Sequence, residues 1–165
     1  MANISPQANG PLGADITRID TVPQYSLGLE FKDLASGTVY RYCKSTGALA
    51  QYGLSKIDSG HIIGVAQTPA LAGTTAPLLL GAPQMSGGFT AANQYGWVAV
   101  QGLMYVLGKA TTAANSLLYL STVTAGYVTT TVTAPKLNNL YLTATVGGAD
   151  ASVQASANGY ITTLP

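Results

Sequence analysis

The sequence predicts an all-β protein: a small β-barrel or β-sandwich core preceded by an extended N-terminal arm. Three observations predict it. Side chains alternate with period two through much of the chain. Thr, Val, Tyr and Gly stand where a helix would want Ala, Leu, Glu and Lys. Short strand-like runs recur at roughly ten-residue spacing between turn signals, which is the pattern of a sandwich or barrel. The 165 residues suffice for one ordinary domain.

Residues 1–24 read as the arm. Pro6, Pro11 and Pro23, with Gly10 and Gly13, interrupt any periodicity and disfavour helix. Ile4, Leu12, Ile16 and Ile19 give it apolar anchors, and Asp15, Arg18 and Asp20 make it polar. Residues 25–135 read as the core. In Tyr25–Lys32, Tyr25, Leu27, Leu29 and Phe31 share one face. Asp33 to Gly37 is a hairpin loop, and Thr38–Lys44 is a strand with Val39, Arg41 and Cys43 opposite Tyr40 and Tyr42. Ile62–Thr68 is a short apolar strand. Ala70 to Met85 is a proline-rich loop with room for one short strand around Leu78-Leu79-Leu80. Tyr95–Leu107 reads as two strands around Gly102, with Trp97 and Ala99 facing away from Val98 and Val100. Ser116–Thr122 and Tyr127–Val132 flank the turn Ala125-Gly126.

Residues 136–165 read as further strands, forming a small lobe or a swapped hairpin. Leu140–Val146 alternates cleanly, with Leu140, Leu142, Ala144 and Val146 opposite Tyr141, Thr143 and Thr145. Asn158-Gly159 is the strongest short hairpin signal, because a type I′ turn needs positive φ at both central residues. It predicts a hairpin joining Ser152–Ala157 to Tyr160–Leu164.

Charge is the compositional anomaly. Charged residues make up 8% of the chain, against about 25% in a typical soluble domain. Ten of the thirteen lie between Asp15 and Asp58, and Ser59 to Gly108 carries none. A net charge of +1 argues against direct nucleic-acid binding, which needs a basic stripe. The opening residues MANISPQANG have no basic and apolar signal pattern, so a secretory signal is not expected. Gly96 to Gly108 is too short and too broken for a membrane helix. A chain this poor in charge invites association, so much of its surface is expected to lie against other chains. A solvent surface covered by Thr, Ser, Asn and Gln is the plainer alternative.

Catalytic and metal-binding signals are weak. His61 is the sole histidine, and its neighbours Asp58 and Ser59 supply no triad geometry by being adjacent in sequence. Cys43 is a lone cysteine on a strand, read as a small buried hydrophobe. The carboxylates are scattered without a calcium-loop pattern, and no zinc set exists. The glycines match no phosphate-binding fingerprint. No enzyme activity, metal or cofactor is therefore expected. Tyr95, Trp97 and Tyr105 are candidate core or oligomer-interface anchors, since most of the ten tyrosines fall on strands.

Three passages carry a family resemblance. Tyr40-Arg41-Tyr42-Cys43-Lys44 leads into Ser45-Thr46-Gly47-Ala48-Leu49-Ala50-Gln51-Tyr52-Gly53. His61-Ile62-Ile63-Gly64-Val65-Ala66 begins a strand. Tyr95-Gly96-Trp97-Val98-Ala99-Val100-Gln101-Gly102 is followed by a Thr/Ala loop, Leu117–Thr122 and Ala125-Gly126-Tyr127-Val128. Over roughly residues 27–132 this order resembles the head decoration, or cement, proteins of tailed bacteriophages. The resemblance implies a β-tulip-like domain, often a homo-trimer, assembled in the host cytoplasm onto the outer capsid surface of a virion. It implies the major capsid protein as partner, with an arm that would engage it through Ile4, Leu12, Asp15, Ile16, Arg18 and Ile19. Residues 136–165 depart from the family pattern. A fibre, spike or host-glycan-binding module is the alternative reading, and a small hydrolase has only the presence of Ser, His and Asp in its favour.

Overall fold

The computed structural model describes residues 15–65, 78–132 and 136–163. These residues form an all-β structure, with eleven strands in one sheet. In chain order they are β1 (Ile19–Asp20), β2 (Glu30–Lys32), β3 (Val39–Ser45), β4 (Ser55–Ile57), β5 (Ile62–Val65) and β6 (Leu79–Pro83). After these come β7 (Tyr95–Gly108), β8 (Tyr119–Leu120), β9 (Tyr127–Thr129), β10 (Leu137–Leu142) and β11 (Ala151–Thr163).

The organising element is β7. It pairs antiparallel with β3 over Tyr95–Gln101 and antiparallel with β11 over Gly102–Gly108. The change of partner falls at Gly102, whose φ of +88° only glycine adopts readily. A Cβ there would lie 2.5 Å from the Gly37 carbonyl oxygen, so the Asp33–Gly37 loop also needs that space empty. The predicted break at Gly102 is thus a switch of neighbours inside one continuous strand. β7 also meets β1 at Tyr95–Gly96, β6 at Val98–Ala99 and β9, in parallel, at Leu107–Gly108. The pairings β7–β6, β6–β4, β4–β5, β5–β3 and β3–β7 return to their starting strand.

Both faces of the first half of β7 are covered. Trp97 and Ala99 join one core cluster with Tyr42, Leu120, Val128, Leu142 and Ile161. Val98 and Val100 join the other, with Cys43, Ile57, Ile63, Met85 and Phe89. This is why Gly96 to Val100 is apolar without interruption, where a one-sided strand would alternate polar and apolar.

Several elements differ from expectation. Of Tyr25–Lys32 only Glu30–Lys32 is strand, because Gly28 takes a φ of +82° and turns the chain. The strand expected at Ile62–Thr68 is β5 as far as Val65, and 66–77 lie outside the described residues. The short strand allowed for around Leu78-Leu79-Leu80 does form, as β6 from Leu79 to Pro83, held between β4 and β7. No hairpin forms at Asn158-Gly159. Neither residue has positive φ, and β11 runs through both. The register against β10 instead jumps from Leu140↔Ala157 to Asn138↔Thr162, a bulge opposite Asn139 at φ +62°. Residues 137–163 share the sheet and the Trp97 core, so they are not a separate lobe.

Candidate functional site

The second half of β7 buries Met104 and Val106 and turns Leu103 and Tyr105 outward. Directly paired residues on neighbouring strands point the same way. Leu103 is opposite Ser156, which is opposite Tyr141, and Tyr105 is opposite Gln154. Leu107 is opposite Ser152. The result is a three-stranded outer face of β7, β11 and β10 without a formal charge. Leu103, Tyr105 and Tyr141 are 38%, 45% and 43% exposed, unusually open for such large apolar side chains on one sheet face.

The face is held firmly from behind and from the side. Val153, Ala155 and Ala157 of β11 and Leu140 and Leu142 of β10 are buried beneath it. Gln84 donates from Nε2 to the Tyr105 carbonyl at 3.0 Å, and its Oε1 accepts from the Tyr105 N–H at 3.0 Å. The Tyr52 ring packs on Tyr105 with centroids 5.4 Å apart. Charge sits at both ends. At one, Lys109 pairs with Asp150, whose carboxyl is held below its ordinary value chiefly by the Lys109 hydrogen bond. At the other, Arg41 pairs with Glu30, which also accepts from the Tyr160 hydroxyl at 2.8 Å. That bond, followed by burial, raises the Tyr160 phenol above its ordinary range. Covering the face with another protein would strip water from apolar and amide groups but from no ion, so the desolvation cost is small.

The candidate anchors separate. Trp97 is 1% exposed and sits among Tyr25, Phe31 and Tyr42, so it is a core residue. Tyr95 is half-buried and stacks on Tyr42 with centroids 6.4 Å apart. Tyr105 is the one of the three that faces outward.

The arm residues separate too. Ile4 and Leu12 lie outside the described residues. Asp15 is exposed and accepts from the Thr17 N–H and hydroxyl; the hydroxyl bond is the larger reason its pKa is lowered. Arg18 is exposed and reaches Asp20 at 2.8 Å. Ile16 is buried in the Trp97 cluster, and Ile19 pairs with Gly96 through β1. Asp20 is 6% exposed and accepts from the Tyr42 hydroxyl at 2.8 Å. The expectation that the whole segment to residue 24 stands apart from the core is therefore corrected. Ile16, Ile19 and the Asp20–Tyr42 hydrogen bond belong to the fold and are not offered to a partner, whereas Asp15 and Arg18 stay exposed.

His61 and Cys43 take the places a turn histidine and a buried thiol would. His61 has a φ of +59°, follows the Asp58 turn and lays its ring against Gly28, where a Cβ would meet Nε2 at 2.3 Å. Its Nδ1 is buried without a hydrogen-bond partner. Cys43 is fully buried, and burial pushes its thiol up to about 12. An open cleft of about 430 Å³ is lined by Arg41, Lys56, Asp58, Ser59, His61 and Leu79. Its charges offset, since Arg41 is already paired with Glu30 and Lys56 shares the cleft with Asp58. Among the described residues no group of three or more His, Cys, Asp or Glu is placed to hold a metal ion.

Sequence reasoning picked out Tyr105 but not Leu103, Gln154, Ser156 and Tyr141. The alternation of Leu140–Val146 does put Tyr141 on an outer face. Only the register of β11 between β7 and β10 brings it beside Leu103. No protein-family model matches the chain, and no curated protein matches it significantly.

Proposed function

We propose that this chain is a structural protein of a phage virion, which binds the outside of an icosahedral capsid and bridges major capsid protein subunits. In this reading the cycle of pairings through β3, β7, β6, β4 and β5 is a small closed barrel. The observation that carries the reading is the uncharged outer face of β7, β11 and β10, in a chain with few charges to keep it apart from neighbours. The family resemblance over residues 27–132 supplies the partner. The face joins three copies in a cyclic homo-trimer. The exposed Asp15 and Arg18, with Ile4 and Leu12 before them, engage the capsid. Each contact can be weak, because three linked copies gain through effective concentration. A protein that binds only the assembled lattice stabilises that lattice by mass action.

Native mass spectrometry tests the assembly. The full chain should appear as three copies, and Leu103→Lys, which places a charge in the face, should appear as one copy with unchanged circular dichroism. A single copy for the unaltered chain at micromolar concentration would overturn the trimer. The outward Tyr105 and Tyr141 favour one second reading, a glycan-binding module, because tyrosine rings stack on sugars. Retention on a glycan array that is lost in Tyr105→Ala, without capsid binding, would select it.

A further inference from the structure

We infer that Asn158-Gly159 is a site of spontaneous deamidation and isoaspartate formation. The inference is independent of the function proposed above. Asparagine followed by glycine is the sequence in which the next backbone nitrogen meets least steric hindrance, since glycine has no Cβ. The fold leaves this pair open to react. Asn158 is exposed, and its side-chain amide makes no hydrogen bond among the described residues. The ladder with β7 ends at Ala157↔Gly102. The ladder with β10 jumps from Ala157 to Thr162, and β6 meets β11 only at Thr162. Residues 158–161 therefore have no in-register partner on either edge. A side-chain tether, Asn139 Nδ2 to the Tyr160 carbonyl at 3.2 Å, spans the bulge. The other described asparagines precede residues with side chains: Gln94, Ser116, Asn139 and Leu140.

The chemistry needs only water and hydroxide. Hydroxide removes the proton from the Gly159 backbone nitrogen, which attacks Cγ of Asn158. The new C–N bond closes a five-membered succinimide as the Cγ–Nδ2 bond breaks, and the amide nitrogen leaves as ammonia after taking a proton from water. Water then adds to either ring carbonyl. One opening gives aspartate. The other gives isoaspartate, with an extra methylene in the backbone of β11. Either product adds one negative charge two residues from Tyr160, whose hydroxyl is bonded to Glu30, and takes the formal net charge from +1 to zero.

The test is incubation of the folded full-length chain at mildly alkaline pH, followed by isoelectric focusing and peptide mapping with an isoaspartyl methyltransferase label. The peptide containing Asn158 should gain the mass of an amide-to-acid exchange and take the label. Gly159→Ala should lose that signal while remaining folded. Gly159 is not at positive φ, and the added Cβ would lie 3.1 Å from the end of the flexible Asn139 side chain. Asn158→Asp should focus at once where the aged protein focuses. The second Asn-Gly pair, Asn9-Gly10, lies outside the described residues and is read from its own peptide. Conversion at Asn9 with none at Asn158 would overturn the inference, as would no conversion at all or equal conversion in Gly159→Ala.

Discussion

Replacing Trp97 with alanine should remove the largest buried side chain in the molecule's core. The indole is 1% exposed and touches three other rings, with centroids 5.2 Å away for Tyr42, 5.3 Å for Tyr25 and 6.4 Å for Phe31. Truncating a buried Trp or Phe to alanine costs about 3–5 kcal/mol, from lost transfer energy and the cavity left behind. Each aromatic pair adds about 0.5–1.5 kcal/mol beyond its buried area. Trp97 is held by β7 between β3 and β6, so the walls cannot collapse to fill the gap, and the upper part of the range applies. For a chain of this size each kcal/mol moves the melting temperature by about 2–4 °C. Trp97→Ala should therefore melt roughly 10–20 °C below the unaltered protein, from about 5 kcal/mol lost. The variant has no tryptophan, so thermal unfolding should be followed by far-ultraviolet circular dichroism. A melting temperature within about 2 °C of the parent would refute the placement of Trp97 in the core.

Further outcomes concern Cys43 and the N-terminal segment. Cys43 should resist iodoacetamide in the native protein at pH 8 and react once urea unfolds it, because its folded thiol ionises only near 12. Its raised folded value also makes its contribution to stability complete below the unfolded thiol value near 9 and progressively lost as pH rises toward 12, a loss to be read in urea midpoints of Cys43→Ala against the parent. Deleting residues 1–14 spares Ile16, Ile19 and Asp20 and should lower the melting temperature less than deleting residues 1–24. Deleting residues 1–24 takes Ile16 and Asp20 from the core and should lower stability by at least about 2–5 kcal/mol, the usual cost of a lost buried Ile. Equal melting of the two deletions would contradict the role of residues 16–20.

What the sequence made legible was local. Thr38–Lys44 was legible as β3 and Tyr95–Leu107 as strand on both sides of Gly102, and the opposition of Trp97 to Val98 follows from period two alone. Gly102 was visible as a break, but its use as a partner switch depends on the Asp33–Gly37 loop, more than sixty residues earlier, lying against it. β4 has three residues, Ser55, Lys56 and Ile57, too few to show a period, and it exists because β5 and β6 flank it. Asn158-Gly159 carried a strong turn signal that tertiary pairing overrode: β11 keeps both neighbours by bulging where a hairpin would have turned back. The outer face was hidden for the same reason. Leu103, Ser156 and Tyr141 come from three strands, and nothing local sets the register that lines them up.

Co-sedimentation with mature heads of tailed bacteriophages is the measurement that bears most directly on the proposed role. The folded full-length chain, mixed with mature heads and spun through a cushion, should pellet saturably with them, and the residue 1–14 deletion should pellet far less. A chain that is folded and assembled by native mass spectrometry yet stays in the supernatant at every concentration would contradict the capsid-binding role.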